Sequence, residues 1–323
     1  MNRRLFLMLA LASAYMAPLA AQAATFPSKP IRIIVPYAPG GTTDMLARVV
    51  GKHMSDKLGQ SVIVENKPGA NGMLGSSMVA KSPPDGYTLG IATPGNHAAN
   101  ASLYKEVPYD TIKDFTAVSQ AVNSPMILVA HPSLGVKTVK ELIAKAKAEP
   151  NAIVYASGGT GSSMHLAMEQ FAKMAGIKMT HVPYKGSGNS YIDLLAGRVS
   201  LLMDISPQAL PRVKNGELIA LGTASEKRLP ELPDVPTIDE AGVPGYRAGS
   251  WYGFVGPAGI PQDTLDKLNA AIADALRDPA IEKKLHDAGL QIVASKPKEF
   301  QAFIEAEVKK SAQIIKDAGI QPE

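Results

Sequence analysis

Ile31-Arg32-Ile33-Ile34-Val35-Pro36-Tyr37-Ala38-Pro39-Gly40-Gly41-Thr42-Thr43-Asp44 is the stretch on which the reading of the fold turns. Its first five residues form the β-branched run of a buried strand. Behind it Leu46, Val49, Val50, His53, Met54 and Leu58 recur at helical spacing until Gly59 stops the helix. The same strand, glycine-rich turn and helix return as Ile153-Val154-Tyr155-Ala156-Ser157-Gly158-Gly159-Thr160-Gly161-Ser162-Ser163, with Met164, Ala167, Met168, Phe171 and Ala175 on one face of the following helix. Both copies place paired glycines and hydroxyls at a helix N-terminus. There the first backbone N–H groups lack intrahelical partners and the macrodipole favours negative charge, so each copy is a candidate oxyanion site. Glycine lets the backbone approach a ligand, and Thr and Ser add hydroxyl donors. Neither loop contains Lys or Arg, which points to a carboxylate rather than a polyphosphate. The alternative is a pair of ordinary strand-to-helix turns with Thr or Ser caps.

Outward from these two units, short β-branched runs alternate with helical patterns, the signature of an α/β fold. Strands are expected at Val62 to Val64, Tyr87 to Ala92, Met126 to Ala130, Ile153 to Ala156, His181-Val182, Leu201 to Ile205 and Leu218 to Thr223. A helix is expected over Thr138 to Ala148. The stretch from Arg228 to Tyr246 carries Pro230, Pro233, Pro236 and Pro244 and reads as an irregular connection between lobes. After a strand over Trp251 to Gly256 the chain reads as purely helical, over Thr264 to Leu276, Ala280 to Ala288 and Lys298 to Ala318.

Composition removes several classes of function. The 323 residues include no Cys, which excludes disulfides, thiolate metal sites and a cysteine nucleophile. Thirty-three basic against 29 acidic side chains give +4, with no Lys/Arg block of the kind nucleic acid requires. Arg3-Arg4, an apolar run from Leu5 through Ala12 and Ala21-Gln22-Ala23 form the three parts of a signal peptide over residues 1–23. The run is too short to span a membrane and is followed by Pro18. Subtracting 23 residues and two arginines from these totals leaves 300 residues and 31 basic against 29 acidic side chains, or +2. Arg3-Arg4-Leu5-Phe6-Leu7 leans towards a twin-arginine signal, with Sec export the default. The mature chain is expected in the periplasm, without membrane insertion.

Catalytic motifs are missing: no phosphate-binding G-x-x-x-x-G-K-[ST], no G-x-G-x-x-G at a strand end, no G-x-S-x-G elbow. His165 and Glu169, four apart on one helical face, lack the companions a metal site needs and read as a helical pair or a brace for the loop. Ser102-x-x-Lys105 is a chance match. Asp44 and Arg48 read as an i,i+4 ion pair. Asp204, ending an apolar strand, either caps Ser206-Pro207 or faces a ligand. No catalytic residue, metal ligand or cofactor is expected. The competing class is an exported α/β hydrolase using one loop as its oxyanion hole.

A series of segments resembles, in order, the substrate-binding receptors of tripartite tricarboxylate transporters, the Bug family. They are Val35-Pro36-Tyr37-Ala38-Pro39-Gly40-Gly41 with Asp44 and Ala47-Arg48, Glu65-Asn66-Lys67-Pro68-Gly69, Pro84-Asp85-Gly86-Tyr87-Thr88, Ser157-Gly158-Gly159-Thr160-Gly161-Ser162 with His165-Leu166, His181-Val182-Pro183-Tyr184-Lys185-Gly186, Pro233-Asp234-Val235-Pro236-Thr237, and Trp251 with Gly253. The resemblance implies a two-lobed, type II periplasmic-binding-protein fold with a ligand cleft between α/β lobes. On the chain the expected division is residues 24–125 and 249–323 for one lobe and 126–248 for the other. It also implies a monomeric receptor that binds a di- or tricarboxylate or other organic acid and passes it to membrane permease subunits; a ligand-presenting partner for a membrane sensor is the variant reading. Carried over by motif, the ligand-binding candidates are Tyr37, Gly41, Thr42, Thr43 and Asp44 on one lobe and Ser157, Thr160, Gly161 and Ser162 on the other, with Tyr184 and Asp204 as wall residues. Met203 stands where the family often has Phe, and Asn96 where a small hydroxyl residue is common.

Overall fold

Alternation within β1 (Ile31–Val35) sends Ile31, Ile33 and Val35 to one face of a sheet and Ile34 to the other, so the first strand already requires a core on both sides. The computed structural model describes residues 26–160, 162–184 and 186–322; the expected signal peptide and Gly161 lie outside the described residues. Helix α1 (Thr42–Leu58) covers the first face with Leu46, Ala47, Val50 and Met54 and ends at Gly59, whose φ of 66° only glycine adopts readily. Then come β2 (Val62–Asn66), α2 (Met73–Ala80), β3 (Thr88–Ala92) and the short α3 (Asn100–Leu103). β2 and β3 flank β1 in parallel.

β4 (Phe115–Ala130) is the axis of the molecule. It is followed by α4 (Val139–Ala148), β5 (Val154–Ser157), α5 (Ser163–Ala175), β6 (Thr180–Pro183), α6 (Ser187–Leu195), β7 (Leu201–Ile205), α7 (Ser206–Lys214) and β8 (Ile219–Thr223). β9 (Gly249–Pro257) then returns along β4 and leads to α8 (Gln262–Leu276), α9 (Pro279–Asp287), β10 (Gln291–Ile292) and α10 (Pro297–Asp317). The strand order is β2-β1-β3-β9-β4-β7-β5-β6, with β8 and β10 also on β4. β4 changes partners along its length: Phe115 to Pro125 pairs with β9, and Met126 to Ala130 pairs with β7 and β8. The result is a two-lobed α/β architecture, each half-sheet carrying an apolar cluster on each face. Met126, Leu128 and Ala130 face one cluster of the second lobe, and Ile127 and Val129 face the other. A small cluster of Ala99, Leu166 and Ile315 joins the lobes through α10.

The structure differs from the sequence reading in four places. The strand expected from Met126 begins at Phe115. Helices α2, α3, α6 and α7 were not expected. β10 interrupts the C-terminal helices. The proline-rich stretch after Arg228 is irregular, but it is not a connection between lobes: Ile238, Val243 and Tyr246 are buried in the core of the second lobe, and Tyr246 Oη donates to the Ala167 carbonyl at 2.7 Å. α10 lies so close to β9 that a Cβ on Gly253 would meet the Phe300 ring at 2.3 Å. Phe300, fully buried, therefore packs where only glycine leaves room.

Candidate functional site

β1 ends and α1 begins at the edge of a cavity of about 380 Å³ that opens between the lobes. The first lobe contributes Tyr37, Gly41, Thr42 and Thr43, with Asn71 and Thr93 to Gly95; the second contributes Ser162, Ser163, Leu166, Ile205 and Gln208. Ser250 and Tyr252 of β9 form the floor between them, and Ser311 of α10 completes the wall. No Asp, Glu, Lys or Arg lines this cavity among the described residues, so a charged ligand there meets backbone dipoles and hydroxyls rather than a counter-ion.

The N-terminus of α1 is uncapped. Gly41 occupies the cap position with no side-chain hydrogen bond, and the first intrahelical bond is donated by Met45 N–H to the Gly41 carbonyl at 3.0 Å. The N–H groups of Thr42, Thr43 and Asp44 precede it, at the positive end of a 17-residue helix. The capping alternative therefore fails for Thr42 and Thr43. It holds in the other loop, where Ser162 Oγ accepts from His165 N–H at 3.3 Å and caps α5.

Asp44 is turned away from the cavity. Its carboxylate accepts from Gly40 N–H at 3.1 Å, from Arg48 Nε at 3.0 Å and from Asn66 Nδ2 at 2.9 Å. The Arg48 guanidinium, with the Gly40 N–H and the Asn66 amide, holds its pKa down to about 2 against the desolvation that opposes it. Arg48 is thus the expected i,i+4 partner, and Asp44 pins the loop through Gly40, whose φ of 88° favours glycine.

In the second lobe Ser157 is fully buried and spends its hydroxyl inside the loop. Its Oγ donates to the Gly159 carbonyl at 3.1 Å, accepts from Gly159 N–H at 3.1 Å and lies 2.7 Å from His181 Nε2. His181 stacks on His165 with ring centroids 3.9 Å apart, and Tyr155 stacks on His181 at 4.9 Å while donating its hydroxyl to Glu169. Burial and then the neighbouring His165 push the His181 pKa down to about 4, and burial lowers that of His165. His165 and Glu169 belong to this brace; no group of three or more His, Asp or Glu suited to a metal ion occurs among the described residues.

Five of the sequence candidates, Tyr37, Gly41, Thr42, Thr43 and Ser162, meet at the cavity. Asp44 and Ser157 stand behind it. Thr160 is exposed and does not line it. Tyr184 points its hydroxyl to Asp193 Oδ2 at 2.6 Å, and its backbone N–H braces the Ser157 carbonyl at 3.1 Å. Asp204 is buried beneath Ile205 rather than in the wall. It caps no helix: its Oδ1 accepts from the adjacent Ile205 N–H at 2.8 Å, and burial pushes its pKa up to about 7 against the opposing Ile205 N–H and Tyr191 hydroxyl. Gly161 lies outside the described residues. The sequence reading named no ligand role for Asn71, Thr93, Ser250, Tyr252 or Gln208: Thr93 belongs to the loop flagged through Asn96 and Tyr252 lies between the motif residues Trp251 and Gly253, whereas Asn71, Ser250 and Gln208 come from segments without motif character.

A two-lobed α/β chain with a cavity at the lobe interface that carries hydroxyls but no charged side chain among the described residues defines the class of type II periplasmic binding proteins. The model of the tripartite tricarboxylate transporter family receptor matches residues 46–320, and the chain belongs to that family. It is similar to protein BugT of Bordetella pertussis, 36% identical over 296 residues, 91% of each chain. Among solved structures it resembles Rpa4515 of R. palustris with adipate, at 39% identity and a TM-score of 0.82 over 92% of this chain and 100% of that one. It also resembles MatC of Rhodopseudomonas palustris with bound malate, at 31% identity and a TM-score of 0.76 over 90% and 100%.

Proposed function

We propose that this chain is an exported periplasmic receptor that captures a carboxylated small molecule between its lobes and delivers it to the membrane permease of a tripartite tricarboxylate-type transporter. The observation that carries the reading is the convergence of Thr42 and Thr43, at the uncapped start of α1, with Ser162 and Ser163, at the start of α5, on one cavity that no charged side chain lines among the described residues. A carboxylate between them is served by N–H groups and hydroxyls of both lobes at once, so the ligand favours the closed form. The lobes are residues 24–125 with 249–323 and residues 126–248. They hinge where β4 changes partners, at Pro125–Met126, and where β9 begins, at Ala248–Gly249. Adipate and malate in the relatives both carry carboxylates. No helix among the described residues is long and apolar enough to cross a membrane.

Bond chemistry has no support in the cavity. The Ser157–His181 and Ser133–His131 pairs have the contacts of a hydrolytic dyad, and neither Ser157 nor Ser133 lines the cavity. The test is a thermal-shift screen of di- and tricarboxylates, hydroxy acids, amino acids and aromatic acids. A ligand at about 100 times its Kd stabilises by ~2.7 kcal/mol, and it should be recovered chemically unchanged. A screen in which no carboxylate raises Tm, or in which the stabilising compound is consumed, overturns the reading.

A further inference from the structure

Asn96 is fully buried, and its amide orientation is fixed from both ends. Nδ2 donates to the Ile91 carbonyl at 3.1 Å and to Ser76 Oγ at 2.8 Å, and a carbonyl can only accept. Oδ1 therefore faces Thr93, whose backbone N–H donates to it at 2.8 Å. The Thr93 hydroxyl lies 2.8 Å from the same oxygen, which has no proton to give, so Thr93 Oγ1 is the donor. A hydroxyl carries one proton. The 2.9 Å contact between Tyr37 Oη and Thr93 Oγ1 must then be donated by Tyr37. One buried amide thus sets the direction of a chain of protons running from Tyr37 to Thr93 to Asn96, away from the cavity that Tyr37 and Thr93 line.

Asn71, on the same wall, is oriented by similar logic. Asn100 Nδ2 donates to the Asn71 backbone carbonyl at 3.2 Å, which leaves Asn100 Oδ1 to accept from Asn71 Nδ2 at 2.7 Å. Asn71 Oδ1 and the second Nδ2 proton remain, so Asn71 offers the cavity both an acceptor and a donor.

We propose that Tyr37 and Thr93 form an acceptor wall in the cavity that the starts of α1 and α5 also line, and that this wall selects organic acids whose far end carries a hydrogen-bond donor, such as a hydroxyl or ammonium, over fully ionised dicarboxylates. The proposal rests on the carboxylate reading above and narrows it. A carboxylate needs donors, and the helix-terminal loops supply them. A second carboxylate against Tyr37 Oη and Thr93 Oγ1 meets oxygen lone pairs with no proton between, and it has lost its water as well. A hydroxyl there completes the chain as donor to Tyr37 Oη. Asn96 touches no cavity and acts as a positioning residue: it decides which way the protons point.

The test is isothermal titration at pH 8 with two matched sets: 4-hydroxybutanoate, succinate and butanoate, and 6-hydroxyhexanoate, adipate and hexanoate. In the better-fitting set the hydroxy acid should bind about 10-fold or more tightly than the dicarboxylate. Asn96→Ala frees the Thr93 proton to turn back to Tyr37, whose own proton then becomes available to the ligand, so the ratio should fall and move towards the dicarboxylate. Tyr37→Phe, which removes the phenol from the wall without touching the buried amide, should reduce the preference at least several-fold and serves if Asn96→Ala does not fold. A dicarboxylate preferred by the wild-type protein, or a hydroxy-acid preference unchanged in the variants that fold, overturns the acceptor wall alone. Absence of binding by every carboxylate in both sets overturns the receptor reading beneath it, and the wall with it.

Discussion

The loop before α1 is held by a charge, and the loop before α5 is held without one. In the first, Asp44 gathers Gly40 N–H, Arg48 and Asn66 around a carboxylate whose pKa lies near 2. In the second, Ser157 closes a ring with Gly159 and leans on neutral His181, itself stacked on His165. Both devices leave the start of the following helix facing the same cavity. What matters for an anion site is the set of exposed N–H groups, and the sequence is free to choose how the backbone behind them is fixed. The choice does set how each loop responds to mutation and to pH.

Asp44→Ala should be the most damaging change, because it strands several donors at once around a nearly buried position. Loss of about 2–3 kcal/mol is expected in urea unfolding. A cost below ~0.5 kcal/mol would mean that the ion pair with the half-exposed Arg48 adds nothing and that the loop holds itself.

The pH dependence separates the lobes next. The depressed His181 pKa means that the unfolded chain takes up a proton before the folded one does, so stability drains away as pH falls from 6.5 to about 4. Asp204 acts in the opposite sense: its pKa, raised from 3.8 to about 7, contributes stability at low pH that is lost as pH rises through that window. The two offset each other in the intact protein. Asp204→Asn, which keeps the acceptor for Ile205 N–H, should stabilise by ~1–2 kcal/mol at pH 8 and leave a protein that weakens steeply below pH 6.5. His181→Gln should flatten the acid side. Melting curves from pH 4 to pH 8 that are parallel for all three proteins would remove the distinction. Asp44 leaves this range untouched, since its contribution is lost only as pH falls from 3.8 towards 2.

The smallest contrast concerns the two hydroxyl positions. Ser162→Ala removes a helix cap and should cost about 1 kcal/mol of stability without ligand. Thr42→Ala removes none and should stay within ~0.5 kcal/mol, although both should weaken ligand binding. Equal stability losses would contradict the uncapped geometry of α1.

Much of the fold was legible because the relevant patterns are local. Ile31, Ile33 and Val35 alternate, Leu46, Val50 and Met54 follow a helix, and Gly59 closes it. β4 was half hidden because Ser119, Gln120, Asn123 and Ser124 break its apolar run. The partners that let most of them be buried are distant in sequence or in an unexpected pairing: Ser119 Oγ donates to the Ser295 carbonyl at 3.0 Å, Gln120 N–H to Ser295 Oγ at 2.9 Å, and Gln120 Nε2 to Asn123 Oδ1 at 2.6 Å. Helix α2 escaped notice because Gly75, Ser76 and Ser77 are poor helix formers held there by packing; a Cβ on Gly75 would press on Pro36 at 2.9 Å. At the site, Gly41, Thr42, Thr43 and Ser162 were readable from chemistry at a helix start. Asn71, Thr93 and Tyr252 were not, since only the strand order brings them to the same cavity. Asn96 was visible as a departure from the family pattern, but its place behind the wall rather than in it depends on a hydrogen-bond network no spacing reveals.

The central claim is that one carboxylate is shared by loops of both lobes. A crystal structure with the acid that gives the largest Tm shift tests it most directly. The account predicts carboxylate oxygens accepting from N–H or hydroxyl groups at Thr42 or Thr43 and at Ser162 or Ser163 together. A carboxylate bound to one lobe alone, or turned towards Tyr37 and Thr93, would contradict it.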